Sequence, residues 1–247
     1  MNKLYVVGIG PGAMDKMTYQ AKEVLAGVDT IIGYGLYVDL IRAAFPDKEF
    51  LHNGMTGEVK RTKIALEEAA KGKIVAMISS GDSGIYGMAA LVLEMAEKEG
   101  ADLDIEVIPG LTAASSGAAV LGAPLTHDFA VISLSDRLTP WELIQKRLLM
   151  AARGDFSLVI YNPRSKGRPD HIKTAQRILL EEKSADTPVG IVKNIGREGE
   201  MAILTTLGDM DIELIDMFAT VFIGNSQTYV AKGKMITPRG YLEKNNG

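Results

Sequence analysis

The stretch Leu4-Tyr5-Val6-Val7-Gly8-Ile9-Gly10-Pro11-Gly12 decides the fold, because an apolar run of strand length ends there in a glycine-rich loop. A helix-like segment follows over residues 17–26. Glycines at a strand end let another molecule approach the backbone closely, and the start of the next helix offers unpaired N–H groups. The opening therefore predicts a strand, a ligand-binding loop and a helix.

This loop resembles a dinucleotide-binding fingerprint only superficially. The G-x-G-x-x-G pattern needs a glycine at position 13, where the chain has Ala13, and Pro11 removes an N–H that a phosphate would use. A purely structural turn is one alternative. We favour a loop that a ligand other than a dinucleotide approaches closely.

Apolar strand-like runs alternate with amphipathic helices through the first half of the chain. This rhythm predicts an open α/β sheet with ligand-binding loops at the carboxyl ends of its strands. The run 74–78 is apolar throughout, as in a parallel strand that is buried on both faces. Two more strands end in small residues, at 79–87 and at 109–113. We expect Thr56 to cap the helix before the strand 74–78, and Ile85 to lie on the helix after it.

A helix of small residues over 112–121 separates the two halves, and we place the boundary between domains 1–118 and 119–247. In the second half, Thr139, Pro140 and Glu142 predict a capped helix start, with Thr139 as the N-cap. Strands crowd the final third with few helices between them, which predicts a mixed, partly antiparallel sheet. Residues 243–247 are expected to fray.

The composition narrows the class of protein. The 247 residues are 47% hydrophobic and 23% charged, as in an ordinary globular protein. No apolar run of about 18 residues indicates a membrane span, and no leader-like segment is visible. The absence of cysteine excludes disulfides, thiolate metal ligands and cysteine nucleophiles, and it favours the cytoplasm. The net charge of −4 gives no general attraction to nucleic acid.

The usual catalytic machinery is missing from the sequence. The histidines His52, His127 and His171 lack the spacing of metal ligands, so no protein-bound metal is expected. We interpret them as structural, and His127 is the first to test as a catalytic group. No serine stands in a nucleophile elbow, and no Walker lysine follows a glycine loop. Asp82 either caps a helix or meets a cationic or hydroxyl-bearing ligand.

Two predicted strand ends are basic, one over 161–169 and one over 193–197. Each is either a solvated loop or a clamp for carboxylate or phosphate groups, because arginine binds such groups with two parallel hydrogen bonds.

Together, GIGPG at 8–12, SSGDSGIYG at 79–87, PGLTA at 109–113 and YNP at 161–163 resemble the tetrapyrrole methylase family, which has them in this order. The family transfers methyl groups from S-adenosylmethionine (SAM), mostly to cobalamin and sirohaem precursors. The resemblance extends from the first strand to about residue 236. The stretches 33–34, 37–41, 131–136, 138–141 and 155–168 look like the branch that methylates C17 of precorrin-3B, or of its cobalt-containing counterpart, and contracts the macrocycle.

The resemblance implies a mostly parallel N-terminal α/β domain and a mixed C-terminal α/β domain, with SAM in the cleft between them. It gives the substrate trough and part of the SAM site to domain 1–118 and the rest of the SAM site to domain 119–247. Pro11 borders the substrate trough. The residues implied to contact SAM are Gly10, Pro11, Ser80, Gly81, Asp82, Ile85, Thr112, Ala113, Asn162, Asn194 and Ile195. Members of the family are homodimers, and the same is implied for this chain.

Methyl transfer agrees with the missing nucleophile. A sulfonium is a good leaving group and a reduced tetrapyrrole carbon is electron-rich, so alignment and desolvation suffice. Ring contraction also moves protons, which requires a general acid or base. The candidates for that role are Asp82, His127, Ser133 and Asp136. The candidates for binding the carboxylates of the substrate are Arg137, Arg164, Lys166, Arg168 and Lys193.

Alternatives stay open at this point. One is another corrin-precursor methylase acting at C11 or C20, and another is a SAM-binding protein without catalysis. A methylase of protein or ribosomal RNA ranks lower, because 6% aromatic residues and a local basic loop do not make a nucleic-acid-binding face. A nicotinamide oxidoreductase ranks below these. We therefore expect a tetrapyrrole partner, and neither nucleic acid nor membrane.

Overall fold

The structure is a computed structural model that describes residues 2–54 and 56–244. The chain forms two compact units, Met1–Ala113 and Ala114–Gly247. The division falls at the start of the helix of small residues, five residues before the end of the predicted first domain at residue 118.

The first unit is built on a five-stranded sheet in which all strands are parallel. Its strands are β1 (Lys3–Gly8), β2 (Thr30–Tyr34), β3 (Glu49–Asn53), β4 (Ile74–Ser79) and β5 (Asp104–Ile108). Their order in the sheet is β3-β2-β4-β1-β5. The carboxyl ends of all five strands therefore share one edge, and the predicted parallel sheet is confirmed.

Helices cover both faces of this sheet. They are α1 (Tyr19–Gly27), α2 (Gly35–Ile41), α3 (Glu58–Ala70) and α4 (Ala89–Glu99). Side chains of β4 alternate between two apolar layers: Ala76 and Ile78 pack with α1 and α2, whereas Val75 and Met77 pack with α3 and α4. This double burial explains why the strand is apolar throughout.

The second unit contains a mixed five-stranded sheet with the order β10-β9-β11-β8-β7. Strands β7, β8 and β9 run in one direction, and β10 and β11 run in the other, so the predicted mixed sheet is confirmed. The elements in chain order are α5 (Ala113–Leu121), β6 (Gly122–Ala123), β7 (Phe129–Ser133), α6 (Trp141–Arg153), β8 (Ser157–Tyr161), α7 (His171–Leu179), β9 (Pro188–Lys193), β10 (Met201–Thr206), β11 (Ala219–Ile223), β12 (Tyr229–Ala231), β13 (Lys234–Ile236) and α8 (Tyr241–Lys244). Strands β12, β13 and β6 form a small separate sheet.

The small residues of α5 are needed for packing within the second unit. A Cβ on Gly117 would lie 2.6 Å from the ring of Phe222 and 2.9 Å from Ile195 Cδ1. Helices α6 and α7 pack in the main apolar cluster of this unit with the larger side chains Ile144, Leu148 and Ile172.

Two predicted helix caps are wrong. Thr56 has a φ of 67°, and helix α3 begins after Gly57, which serves as its N-cap. Helix α6 begins one residue later than predicted, because Pro140 has an extended ψ of 136° and is itself the N-cap. Helix α2 and strands β3 and β13 were not anticipated. Helix α8 includes the first two residues of the stretch expected to fray, and residues 245–247 lie outside the described residues.

Candidate active site

Three loops meet at the carboxyl edge of the first sheet. They follow β1, β4 and β5, the three neighbouring strands whose glycine-rich ends the sequence singles out. The first two loops are joined by a pair of backbone hydrogen bonds: Gly10 N donates to Gly81 O at 3.0 Å, and Gly81 N donates to Gly10 O at 2.7 Å. These N–H groups are therefore used to hold the loops together.

Glycine is required where the three loops touch. A Cβ on Gly8 would lie 2.7 Å from both Gly110 N and Gly81 O. A Cβ on Gly110 would overlap the Gly81 carbonyl oxygen and lie 2.6 Å from the Gly8 carbonyl carbon. Because these neighbours are backbone atoms, they cannot rotate away. The sequence motif thus serves close approach between loops.

Asp82 organises the turn between the second and third loops. Its Oδ1 accepts hydrogen bonds from Gly84 N at 2.8 Å and Ile85 N at 3.1 Å, and its Oδ2 accepts one from Gly110 N at 3.0 Å. The turn also holds Tyr86 at a φ of 53°, which is incompatible with a helix. Helix α4 therefore begins only at Ala89, and the prediction that Ile85 lies on it is wrong.

The rim of this loop cluster carries exposed apolar side chains. The exposed fractions are 41% for Ile85, 58% for Tyr86 and 42% for Leu111. Ser80, Thr112 and Ala113 are partly buried on the same loops, and Pro11 follows the Gly10–Gly81 pair. The cluster thus combines backbone polar groups with an apolar rim.

In the second unit, strands β7, β8 and β9 end at the same edge of the mixed sheet. Ser133, at the end of β7, accepts a hydrogen bond from Asn162 Nδ2 at 2.9 Å, next to the end of β8. Tyr161 accepts one from Ala114 N through its hydroxyl at 2.6 Å. Asn162 and Asn194 follow two of these strands, each at a φ of 50°. Asparagine tolerates this left-handed conformation better than most residues.

Asp136 is the centre of a polar cluster just beyond β7. Its Oδ2 lies 3.3 Å from His171 Nε2, and its Oδ1 lies 3.5 Å from Arg168 Nη1. Arg168 also donates to Ser135 Oγ at 2.8 Å. The His171 ring packs edge-on against Trp141, with 4.0 Å between the ring centroids. The structure therefore brings Asp136 and Arg168 together with a histidine that the sequence interpretation had set aside as structural.

Other predicted cations are paired within the second unit. Arg164 forms two hydrogen bonds with the Glu213 carboxylate, each of 3.0 Å, and a third with Ile212 O. Lys193 lies 2.7 Å from Asp216 Oδ2. The acidic partners were missed, because they are far away in sequence and carry no motif. Arg137 and Lys166 are exposed, and neither forms an ion pair with a described residue.

His127 lies apart from the other candidates of its unit. It precedes β7, whereas Ser133 and Asp136 lie at the opposite end of that strand, about 20 Å away at about 3.3 Å per residue. Its ring accepts a hydrogen bond from Asp128 N at 2.9 Å.

Asn194, Ile195 and Gly196 form a tight turn after β9. Asn194 N donates to Phe218 O at 3.3 Å, and Gly196 N donates to Glu200 Oε2 at 2.6 Å. Ile195 is buried, with 7% of its surface exposed. The backbone of this turn is thereby held in place next to the end of β9.

The described residues show neither a metal site nor a membrane span. No group of three or more His, Cys, Asp or Glu side chains in 2–54 and 56–244 is arranged to hold a metal ion. Over the same ranges, no helix has the length and apolar character needed to cross a membrane.

Residues 3–211 match the family model described as Tetrapyrrole (Corrin/Porphyrin) Methylases. The chain belongs to this family, and the resemblance stated from the glycine loops is confirmed.

Two relatives and one solved structure show where in the family the chain stands. The "Probable cobalt-factor III C(17)-methyltransferase" of Salmonella typhimurium is 51% identical over 96% of this chain and 99% of its own length. The "Precorrin-3B C(17)-methyltransferase" of a Sinorhizobium species is 38% identical over 96% of each chain. The crystal structure of the methyltransferase CobJ is similar with a TM-score of 0.91, at 37% identity over 96% of this chain and 99% of that one. Two further relatives are longer, and this chain spans 46% and 54% of their lengths.

Proposed function

We propose that this chain is a SAM-dependent C-methyltransferase of corrin-ring biosynthesis. It methylates C17 of cobalt-factor III or precorrin-3B and contracts the macrocycle to give cobalt-precorrin-4 or precorrin-4. The observation that carries this proposal is the 51% identity, over nearly the whole of both chains, to a protein named for this reaction. Identity to the relative named for the metal-free substrate is 38%, which favours the cobalt-containing substrate.

The loop cluster of the first unit fits SAM as the methyl donor. Exposed Ile85 and Leu111 offer apolar contacts, on loops that Asp82 ties together through Gly84 N and Gly110 N. When bound, SAM supplies a methyl group on a sulfonium. Asp82 holds the turn that presents these groups, and Pro11 borders the site with a backbone nitrogen that donates no hydrogen bond.

Asp136 is the strongest of the four candidates for the general acid or base. Its Oδ2 lies 3.3 Å from His171 Nε2, so an imidazole nitrogen stands directly beside the carboxylate. The Asp82 oxygens are engaged by backbone N–H groups, which supports a positioning role for that residue. Ser133 accepts from Asn162 and from Ser135 N, so it serves better to orient the end of β8.

We further propose that the protein acts as a homodimer in the cytoplasm. The dimer is supported by the family resemblance, and the compartment is supported by the cysteine-free composition. Sedimentation equilibrium measures the assembly directly, and a monomer at micromolar concentration would contradict it.

The test of the proposed function is incubation with SAM and either cobalt-factor III or precorrin-3B, followed by mass and absorption spectra. We expect a mass gain of one methyl group, loss of the starting chromophore and faster turnover of the cobalt-containing substrate. A methyl gain with the starting chromophore retained would contradict the ring contraction and leave the methyl transfer standing. SAM binding without methyl transfer would contradict catalysis.

A pair of matched variants checks the role of the first loop cluster. Asp82→Ala removes the acceptor of three backbone N–H bonds and is expected to raise the KM for SAM about tenfold or more. Asp47→Ala removes an exposed carboxylate of the same unit that has no ion-pair partner among the described residues, and it should leave the KM unchanged.

A further inference from the structure

Arg61 is a buried cation that the proposed reaction leaves without a role. It lies in the first turns of α3, and only 4% of its surface is exposed. Its Nη1 donates to Asn53 Oδ1, and Asn53 Nδ2 donates to Gly57 O at 3.0 Å. Because Asn53 is the last residue of β3, the guanidinium lies at the carboxyl edge of the first sheet, the edge that carries the glycine loops.

The other buried or half-buried cations described above have carboxylate partners, and Arg61 has none. Arg164 pairs with Glu213, and Lys193 pairs with Asp216. Arg61 forms no ion pair with any described residue, and its Nε is buried without a hydrogen-bond partner. A buried charge is costly unless it is paired, so an unpaired one requires an explanation.

The free donors of Arg61 retain some access from outside. Its Nη2 donates to no described residue. Unlike Nε, this nitrogen is not fully buried, so part of its surface is open. Burial lowers the pKa of the Arg61 guanidinium, and nearby Glu58, Tyr37 and Tyr34 oppose this effect. Arginine stays protonated nonetheless. The site therefore offers a partly desolvated positive charge.

Two tyrosines stand beside this charge at the same edge. Tyr34 ends β2, and Tyr37 lies in the first turn of α2. Their rings pack edge to face, with 5.2 Å between the centroids, and both are partly buried. A guanidinium with two neighbouring phenols is suited to a carboxylate, because all three can donate hydrogen bonds to it.

We propose that Arg61, with Tyr34 and Tyr37, binds a peripheral carboxylate of the tetrapyrrole substrate. Strands β2 and β3 are the outer strands beyond β4, whereas the SAM loops follow β1, β4 and β5. A macrocycle with acetate and propionate arms extends over several strands, so one arm reaches β3 while the reacting carbon stays near the SAM loops. The inference rests on the proposed substrate.

SAM also carries a carboxylate that Arg61 can bind. Equilibrium binding experiments distinguish this carboxylate from one on the tetrapyrrole. Cobalt-factor III is titrated into the protein saturated with S-adenosylhomocysteine (SAH) and followed by its visible absorption; SAH is titrated alone in a second experiment. The variants are Arg61→Met, Arg61→Lys and the control Lys63→Met. Lys63 is an exposed cation on the same helix, with 62% of its side chain accessible.

We expect Arg61→Met to raise the Kd for cobalt-factor III about tenfold or more, and Arg61→Lys to restore part of the affinity. Lys63→Met should match the unaltered protein, and the Kd for SAH should be the same in all four proteins. The melting temperature without ligand should fall little in Arg61→Met, since an unpaired buried charge is removed along with one hydrogen bond.

Several results would overturn the inference. Equal tetrapyrrole affinity in Arg61→Met and Lys63→Met would exclude the contact. A weaker affinity for SAH alone would assign Arg61 to the carboxylate of SAM, and dissociation of a dimer in Arg61→Met would assign its counter-charge to a second copy of the chain. If the unaltered protein binds cobalt-factor III without methylating it, the proposed function fails while this binding site stands.

Discussion

At the scale of single residues, Asp155 forms an ion pair with the buried Lys183, while 46% of its own side chain stays exposed. The pair lies next to the start of β8, at the opposite end of that strand from Asn162. Asp155 accepts hydrogen bonds from Ser226 N at 2.9 Å and Ser226 Oγ at 2.6 Å, and it lies 3.5 Å from Lys183 Nζ. Burial by itself favours the neutral carboxyl. The Ser226 bonds and the charge of Lys183 outweigh it, so the pKa of Asp155 lies below its usual range.

This pair predicts part of the acid sensitivity of the protein. Because the pKa of Asp155 is lower in the folded state than the unfolded value of about 3.9, the unfolded state binds more protons below about pH 5. The stabilisation is present above the unfolded pKa and is lost as the pH falls through the folded pKa. Because 46% of the Asp155 side chain is exposed, solvent screens the pair, and we expect Asp155→Asn to lower the free energy of unfolding at pH 7 by only about 0.5–1 kcal/mol. The acid dependence of stability should become shallower.

Urea denaturation between pH 3 and pH 7, at intervals of about one pH unit, measures this dependence. Asp186→Asn is the control, because Asp186 is an exposed carboxylate of the same unit without an ion-pair partner among the described residues. The prediction is refuted if the free energy of unfolding falls with decreasing pH as steeply in Asp155→Asn as in Asp186→Asn.

At the scale of elements, the three loops of the first unit are held by backbone contacts that exclude side chains. Gly110→Ala places a Cβ against the Gly81 carbonyl and the Gly8 backbone. We expect it to destabilise the protein by about 3 kcal/mol or more and to weaken SAH binding. Gly27→Ala is the matched control, since a Cβ at the end of α1 meets no atom within 4 Å.

Chemical denaturation and SAH titration of both variants check this prediction. Gly27→Ala should change stability by less than about 1 kcal/mol and leave the Kd for SAH unchanged. Equal stability of the two variants would show that the loops can separate without cost.

The elements that could be predicted are those with a strong apolar signal. The predicted apolar run 74–78 lies within β4 and makes up all of it except the last residue, Ser79. Strand β3 was missed because it lies at the sheet edge and has no buried residue: Glu49 and His52 are exposed, and Phe50 and Leu51 are only partly buried. Helix α2 was missed because it follows β2 directly, without a side-chain cap.

The candidate site was predictable only in its loops. Glycine at successive strand ends indicates that another backbone or a ligand approaches closely there. Because the strands are parallel, those ends lie at the same edge of the sheet. The hydrogen bonds between loops could not be predicted from the sequence. The bond from Gly110 to Asp82 joins residues 28 positions apart, and that from Arg168 to Ser135 spans 33. Arg61 belongs to no sequence motif. Its lack of an ion-pair partner can be recognised only from the positions of the neighbouring carboxylates in the structure.

At the scale of the whole molecule, ligand binding should raise the thermal stability in a selective way. A ligand that binds only the folded state at 100 times its Kd adds about 2.7 kcal/mol, which corresponds to about 5–10 °C in a chain of this length. We expect this shift with SAH and none with NADH, since Pro11 and Ala13 depart from the dinucleotide fingerprint.

Differential scanning fluorimetry with each ligand at equal concentration measures the effect. A comparable rise in melting temperature with NADH would support a nicotinamide oxidoreductase instead. No rise with SAH would contradict SAM-dependent methyl transfer.

For enzyme engineering, the close approach of Gly8, Gly81 and Gly110 separates the positions of the first loop cluster that must stay glycine from those that can be substituted. Gly8 and Gly110 leave no room for a Cβ, and Gly81 has a φ of 67°, which other residues rarely adopt. Ile85, Tyr86 and Leu111 instead project partly exposed side chains from the same loops. A library confined to these three positions can reshape the surface offered to donor analogues with larger alkyl groups, while the backbone contacts that align the loops remain intact.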